Sequence, residues 1–138
     1  VYYPVAMESA LKMKEVTYQH AEGMPAGFLK HGTLSMVEPA LHTLFFVPPP
    51  ENKEIHKRTL IAMEQVKSRG GTVIAIVFQG DELAQKLASQ SIKLPFLSSL
   101  FAPFLQMIIA QMFAYYAALD LGRNIDKPRN LAKSVTVG

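Results

Sequence analysis

The run TVIAIVFQG (72–80) is the strongest constraint on what this chain folds into. Its first seven residues are apolar or β-branched at every position, with no polar alternation. A strand with one face in water alternates; a strand without alternation is buried on both faces, as in a parallel sheet covered by helices on both sides. The flanking sequence supplies helices for that cover. ENKEIHKRTLIAMEQVKSRGG (51–71) starts acidic, ends basic and closes on two glycines, the order that a helix dipole and C-cap favour. HTLFFVPPP (42–50) before it is a short apolar run stopped by three prolines, a second buried strand. DELAQKLA (81–88) follows as a short helix, SIKLPFL (91–97) as a third strand, and Ser99 to Leu121 as a long apolar helix.

Upstream, a first helix is expected from about Pro4, a favoured residue at the first helical position, to about Glu22. Gly23, Pro25 and Gly27 then form a loop, and AGFLKHGTLSMV (26–37) a short helix or turn that breaks near His31 and Gly32. Strands alternating with helices predict one α/β domain, a three-layer sandwich around a parallel sheet. Three strands make a thin sheet, and the chain opens on a helix with no strand before it. The expectation is therefore a fragment whose first strand lies upstream of Val1.

Composition removes several classes of function. The net charge of +3 is small and the basic residues are scattered, so no nucleic-acid partner is expected. The chain has no cysteine, which rules out disulfides, thiol nucleophiles and thiolate metal sites and fits a cytoplasmic location. His20, His31, His42 and His56 lack metal-ligand spacing. RGGTV (69–73) precedes a strand instead of following one, the wrong context for a phosphate loop. Residues 94–119 carry no charge and are long enough to span a bilayer. Pro95, Pro103, Gln106, Gln111 and the pair Ser98–Ser99 interrupt that stretch, so a buried helix is expected and not a membrane span. The serine pair opens the helix either as a cap or as an anion cradle.

On the first helix Glu8, Lys12, Glu15, Gln19 and Glu22 recur every three or four residues and share one face. Ala6, Ala10, Met13 and Thr17 form an apolar stripe beside them, broadened by Met7 and Leu11. The polar face fits a solvated surface laced with ion pairs. The sharper reading is a carboxylate aimed into a cleft, with the Lys12 ammonium keeping Glu15 ionised as a base. Periodicity does not choose between these. His31 sits in a glycine-punctuated loop, where an incidental and a functional histidine look alike. The ending DKPRNLAKSVTVG (126–138) sets Arg129, Asn130 and Lys133 among small apolar residues and reads as a segment held in place, not as a loose tail.

Three runs together carry a resemblance. DKPRNLAKSVTV (126–137), ALKMKEVTYQHAEG (10–23) and AGFLKHG (26–32), in that family's order and spacing, resemble the C-terminal sugar isomerase (SIS) domain of the glucosamine-6-phosphate synthase family (glutamine–fructose-6-phosphate aminotransferase, isomerising). The resemblance covers the whole chain, and the tail is its most specific part. It implies a flavodoxin-like parallel sandwich, the second of two SIS domains behind a glutaminase domain, with the active-site tail at 123–138. It implies fructose 6-phosphate and glucosamine 6-phosphate as ligands, a homodimer, and no metal or organic cofactor.

The same resemblance places Glu15 as the acid–base that moves a proton between C1 and C2 of the sugar imine, with Lys12 in the same site. It places His31 as the ring-opening histidine contributed by the partner subunit. Lys133 stands where the tail lysine engages the open-chain ketone, with Arg129 four residues back as a cationic neighbour. The phosphate-binding hydroxyls belong to the first SIS domain, so this piece alone is expected to be inactive. Two positions depart from the family pattern: Phe28 replaces a glutamate and Thr33 a proline. A regulator's non-catalytic phosphosugar-binding SIS module, or a phosphosugar isomerase or deaminase built of two such domains, is the alternative.

Overall fold

The computed structural model describes residues 2–96 and 98–132. The run that lacks alternation forms the central strand, β2 (Thr72–Phe78). It pairs in parallel with β1 (His42–Phe46) on one side and β3 (Gln90–Leu94) on the other, with Phe45 opposite Ala75 and Ile76 opposite Ile92. Both faces of β2 are sealed. Val73, Ala75 and Val77 join Leu29, Phe45, Val47, Met63, Val66 and Ala84 in one core. Ile76 and Phe78 join Val5, Phe46, Leu94, Ala102 and Ala110 in the other.

Two helix layers follow from the connections. α2 (Lys53–Lys67) and α3 (Glu82–Leu87) link successive parallel strands and contribute to the first core. Both crossovers step across the sheet in the same direction, and right-handed connections then place both helices on one face. α1 (Tyr2–Thr17) and α4 (Ala102–Asp120) cover the other face. Small buried side chains, Ser9 and Ala10 on α1 and Ala110, Ala114 and Ala118 on α4, let these two helices pack closely. Their starts are tied near the carboxyl end of β1. Gln106 Nε2 donates to the Val47 carbonyl at 2.7 Å, and Asn52 Nδ2 donates to the Tyr2 hydroxyl at 3.2 Å. Across the sheet, buried His56 and Asp81 share a 2.8 Å hydrogen bond, while the other Asp81 oxygen accepts the Ala84 amide and caps α3.

The α/β sandwich is as expected, with four local corrections. α1 stops at Thr17 and not near Glu22: the Thr17 hydroxyl turns back to the Met13 carbonyl, and Tyr18 takes a left-handed conformation at φ 64°. Gln19 and Glu22 therefore leave the polar stripe. Met7 and Leu11 do not widen the buried stripe, because both are exposed. Ser98 and Ser99 make no side-chain cap on α4; the Ser98 carbonyl accepts the amides of Phe101 and Ala102 instead.

The largest correction concerns α4, which is not a buried helix. Ala102, Pro103, Gln106, Ala110, Ala114 and Ala118 face inward, while Phe104, Ile108, Met112, Tyr115, Tyr116 and Leu119 face outward. A three-stranded sheet and one neighbouring helix cover only one side of it. Among the described residues α4 is the one helix long and apolar enough to cross a membrane. Its small buried face meets α1 and the sheet, with Leu105, Met107 and Ile109 packing partly buried at its margins.

The loop after α1 crosses back over that helix at Gly23. A Cβ there would lie 2.5 Å from the Ala6 carbonyl carbon and oxygen, which belong to helix backbone and cannot step aside. Gly23→Ala is expected to destabilise the intact protein by about 1–3 kcal/mol, read as a lower transition in calorimetry. Gly27→Ala, where a Cβ meets nothing within 4 Å, is expected to leave that transition in place.

Candidate functional site

The site begins with the shortened stripe on α1. Residues three and four apart on a helix lie one above the other, so Glu8, Lys12 and Glu15 form a line. Lys12 Nζ donates to Glu15 Oε2 at 2.6 Å and lies 3.4 Å from Glu8 Oε1. The hydrogen bond to Glu15 raises the Lys12 pKa above the ordinary lysine value, partly opposed by desolvation and aided by the charge of Glu8. Lys12 and Glu15 are both partly shielded, with side chains 33 and 28 % exposed.

Glu15 also lines a shallow, open cleft of about 510 Å³ where α1 ends. Tyr18 and His20 line it from the same segment, and Arg129, Asn130 and Leu131 line it from the tail. The tail is fastened here. The Arg129 amide donates to the Tyr18 hydroxyl at 2.9 Å, and the Arg129 guanidinium lies 4.2 Å from the centre of the Tyr18 ring. The Arg123 guanidinium lies 5.1 Å from the same ring. Guanidinium groups are held over aromatic faces by the ring quadrupole.

Of the residues singled out in the sequence, Lys12, Glu15, Arg129 and Asn130 are brought to one end of the molecule. Arg129 and Asn130 were expected to hold the tail; Arg129 does so, and Asn130 lines the cleft with φ 61°. Lys133 lies outside the described residues. His31 is not part of this cluster. It ends a short 3₁₀ turn (Ala26–His31), is exposed, and meets Phe28 edge to face at 6.2 Å between ring centres. Among the described residues no hydrogen bond joins His31 to Lys12, Glu15 or the tail.

Tyr18 escaped the sequence reading. Its ring is neither on the polar stripe nor in the core, and its importance depends on two arginines more than a hundred residues downstream. The pair Arg123 and Arg129 bracketing a proline-containing segment was the available signal. Among the described residues no group of three His, Asp or Glu is placed to hold a metal ion.

A sequence profile of the SIS domain matches residues 1–121. The chain belongs to the SIS domain family. This SIS domain is 44 % identical over 136 residues to glutamine–fructose-6-phosphate aminotransferase [isomerizing] of Leifsonia xyli, covering 98 % of the chain and 22 % of that protein. The protein of the same name from Mycobacterium tuberculosis strain H37Rv matches with the same identity and the same coverage. The SIS domain thus spans about a fifth of the length of these relatives. Among solved structures, the C-terminal domain of glucosamine-fructose-6-phosphate aminotransferase from Francisella tularensis superposes with a TM-score of 0.81 at 35 % identity, over 92 % of this chain and 35 % of that one. A putative tagatose-6-phosphate ketose/aldose isomerase from Clostridium novyi NT shares the fold, with a TM-score of 0.74 at 23 % identity over 99 % of this chain and 38 % of that one.

The ion pair gives a pH prediction. A lysine whose folded pKa is raised adds stability that is complete below the unfolded lysine value and is lost as the pH climbs through the folded value. The Lys12–Glu15 contribution is therefore expected to persist through neutral pH and disappear in the alkaline range above the ordinary lysine pKa. NMR titration of Lys12 should show the elevated midpoint, and Glu15→Gln should return it toward the ordinary value.

Proposed function

We propose that this SIS domain, residues 1–138 with its tail from 123, is the C-terminal isomerase domain of a glutamine–fructose-6-phosphate aminotransferase. The whole protein would convert fructose 6-phosphate and glutamine-derived ammonia into glucosamine 6-phosphate. The observation that carries this reading is the cleft itself. It sets Glu15, hydrogen-bonded to Lys12, beside tail residues from the far end of the chain. Similarity over 98 % of the chain to proteins bearing that name supports it.

In this reading Glu15 takes a proton from C1 of the sugar imine and returns it to C2, converting the ketose skeleton to an aldose. Lys12 orients the carboxylate through its hydrogen bond. Lys133 engages the open-chain ketone, and His31 of a partner subunit opens the ring. The exposed position of His31, away from its own chain's Glu15, suits a group delivered across an interface. The outward apolar face of α4 suits a homodimer or cover by the upstream domain. Phosphate-binding hydroxyls come from the first SIS domain, so residues 1–138 alone turn over little sugar.

Glu15→Gln in the full-length protein, supplied with fructose 6-phosphate and ammonia, should lower glucosamine 6-phosphate formation by a factor of about 10²–10⁴ while leaving the sugar's affinity near wild type. An unaltered rate would remove Glu15 from the chemistry. A wild-type protein that binds fructose 6-phosphate and makes no product would favour a non-catalytic phosphosugar-binding module, to which the aromatic Phe28 beside His31 lends itself. A charge placed on the outer face of α4, as in Ile108→Glu, should shift a dimer toward monomer in sedimentation velocity if that face pairs subunits.

A further inference from the structure

We propose that Tyr18 is a positioning residue, the post that sets the register of the C-terminal tail relative to Glu15. Its backbone is the first sign. A tyrosine at φ 64° occupies the left-handed region, which costs a residue with a Cβ of order 1 kcal/mol or more and persists only where surrounding contacts impose it. The turn ends α1 within hydrogen-bond reach, the Tyr18 amide still donating to the Lys14 carbonyl at 3.1 Å, and carries the ring to the tail.

Three contacts converge on that ring. The hydroxyl accepts the Arg129 amide at 2.9 Å, the Arg129 guanidinium stacks at 4.2 Å, and the Arg123 guanidinium approaches to 5.1 Å. One side chain therefore gathers both ends of the segment 123–129. A guanidinium over an exposed ring contributes only about 0.5–1 kcal/mol, too little to matter for global stability. A backbone amide held by a side-chain hydroxyl is different in kind, because it fixes where the chain is, not merely that it is near.

The consequence lies on both sides of the contact. Tyr18 is three residues beyond Glu15, and both line the cleft that Arg129 lines. The Glu15 carboxylate and the tail at Arg129 are thus registered against one another through a single ring. This inference rests on the reading that Glu15 and Lys133 act on the same sugar; the latch itself does not.

Full-length wild type, Tyr18→Phe, Tyr18→Leu and Glu15→Gln should be compared in two measurements. The first is hydrogen exchange at the Arg129 amide. Tyr18→Phe, which keeps the ring and loses the acceptor, should exchange roughly ten times faster there, with its thermal transition unchanged. Protection equal to wild type overturns the latch, and this readout does not depend on whether product forms.

The second is steady-state formation of glucosamine 6-phosphate with ammonia supplied. Tyr18→Phe should lose at least about tenfold in kcat with KM for fructose 6-phosphate within about threefold, because misplacing a reacting group costs rate more than binding. Tyr18→Leu should lose more. Wild-type kcat in Tyr18→Phe, with Glu15→Gln inactive, overturns positioning while sparing the isomerase reading. Full activity in Glu15→Gln instead removes Glu15 from the chemistry and with it the positioning role of Tyr18, while absence of product from the wild type overturns the isomerase reading on its own.

Discussion

Burial of β2 on both faces is the constraint from which the rest of the structure follows. A strand with no polar side can exist in water only inside a sheet, covered above and below. Parallel neighbours satisfy its backbone, and parallel pairing demands crossover helices, which right-handed connection delivers to a single face. The second face must then be covered by elements outside the crossovers. α1 and α4 do this, and their close pairing through Ser9, Ala10, Ala110, Ala114 and Ala118 brings the end of α1 to the segment that follows α4. The cleft that holds Glu15 is a by-product of that cover.

Charge and strain are concentrated at this end. Lys12 sits between two carboxylates, Tyr18 is forced left-handed, and Arg123 and Arg129 bear on one ring. The opposite face holds its polar groups differently: buried His56 and Asp81 hydrogen-bond to one another, and the second Asp81 oxygen caps α3. Exposed loop histidine His31 belongs to neither group. Its neighbour Phe28 meets it edge to face, and the rest of the ring is exposed.

Much of the architecture was legible in the sequence because local signals and tertiary needs agreed. TVIAIVF has the composition of a strand and is buried as one; the acidic start and glycine end of the 51–71 run mark a helix and frame α2. The failures came where one local pattern served two environments. Heptad-like spacing carried the polar stripe on to Glu22, but the left-handed turn at Tyr18 ends the helix at Thr17. An uncharged run looks the same whether a helix is enclosed or lies on a thin layer with one side open, and only the packing exposes the outer face of α4.

Sequence alone determined the fold class, the strand order's parallel sense, and the candidacy of Lys12, Glu15, His31 and Lys133, since each rests on residue type at fixed local spacing or on a matched motif. It could not determine which of them meet. The Lys12–Glu15 bond was within reach of helix periodicity, three residues apart on one face. The union of Glu15 with Arg129, and the place of Tyr18 between them, depends on how two helices pack over a sheet. Contacts across more than a hundred residues leave no periodic trace, because packing and not spacing brings them together.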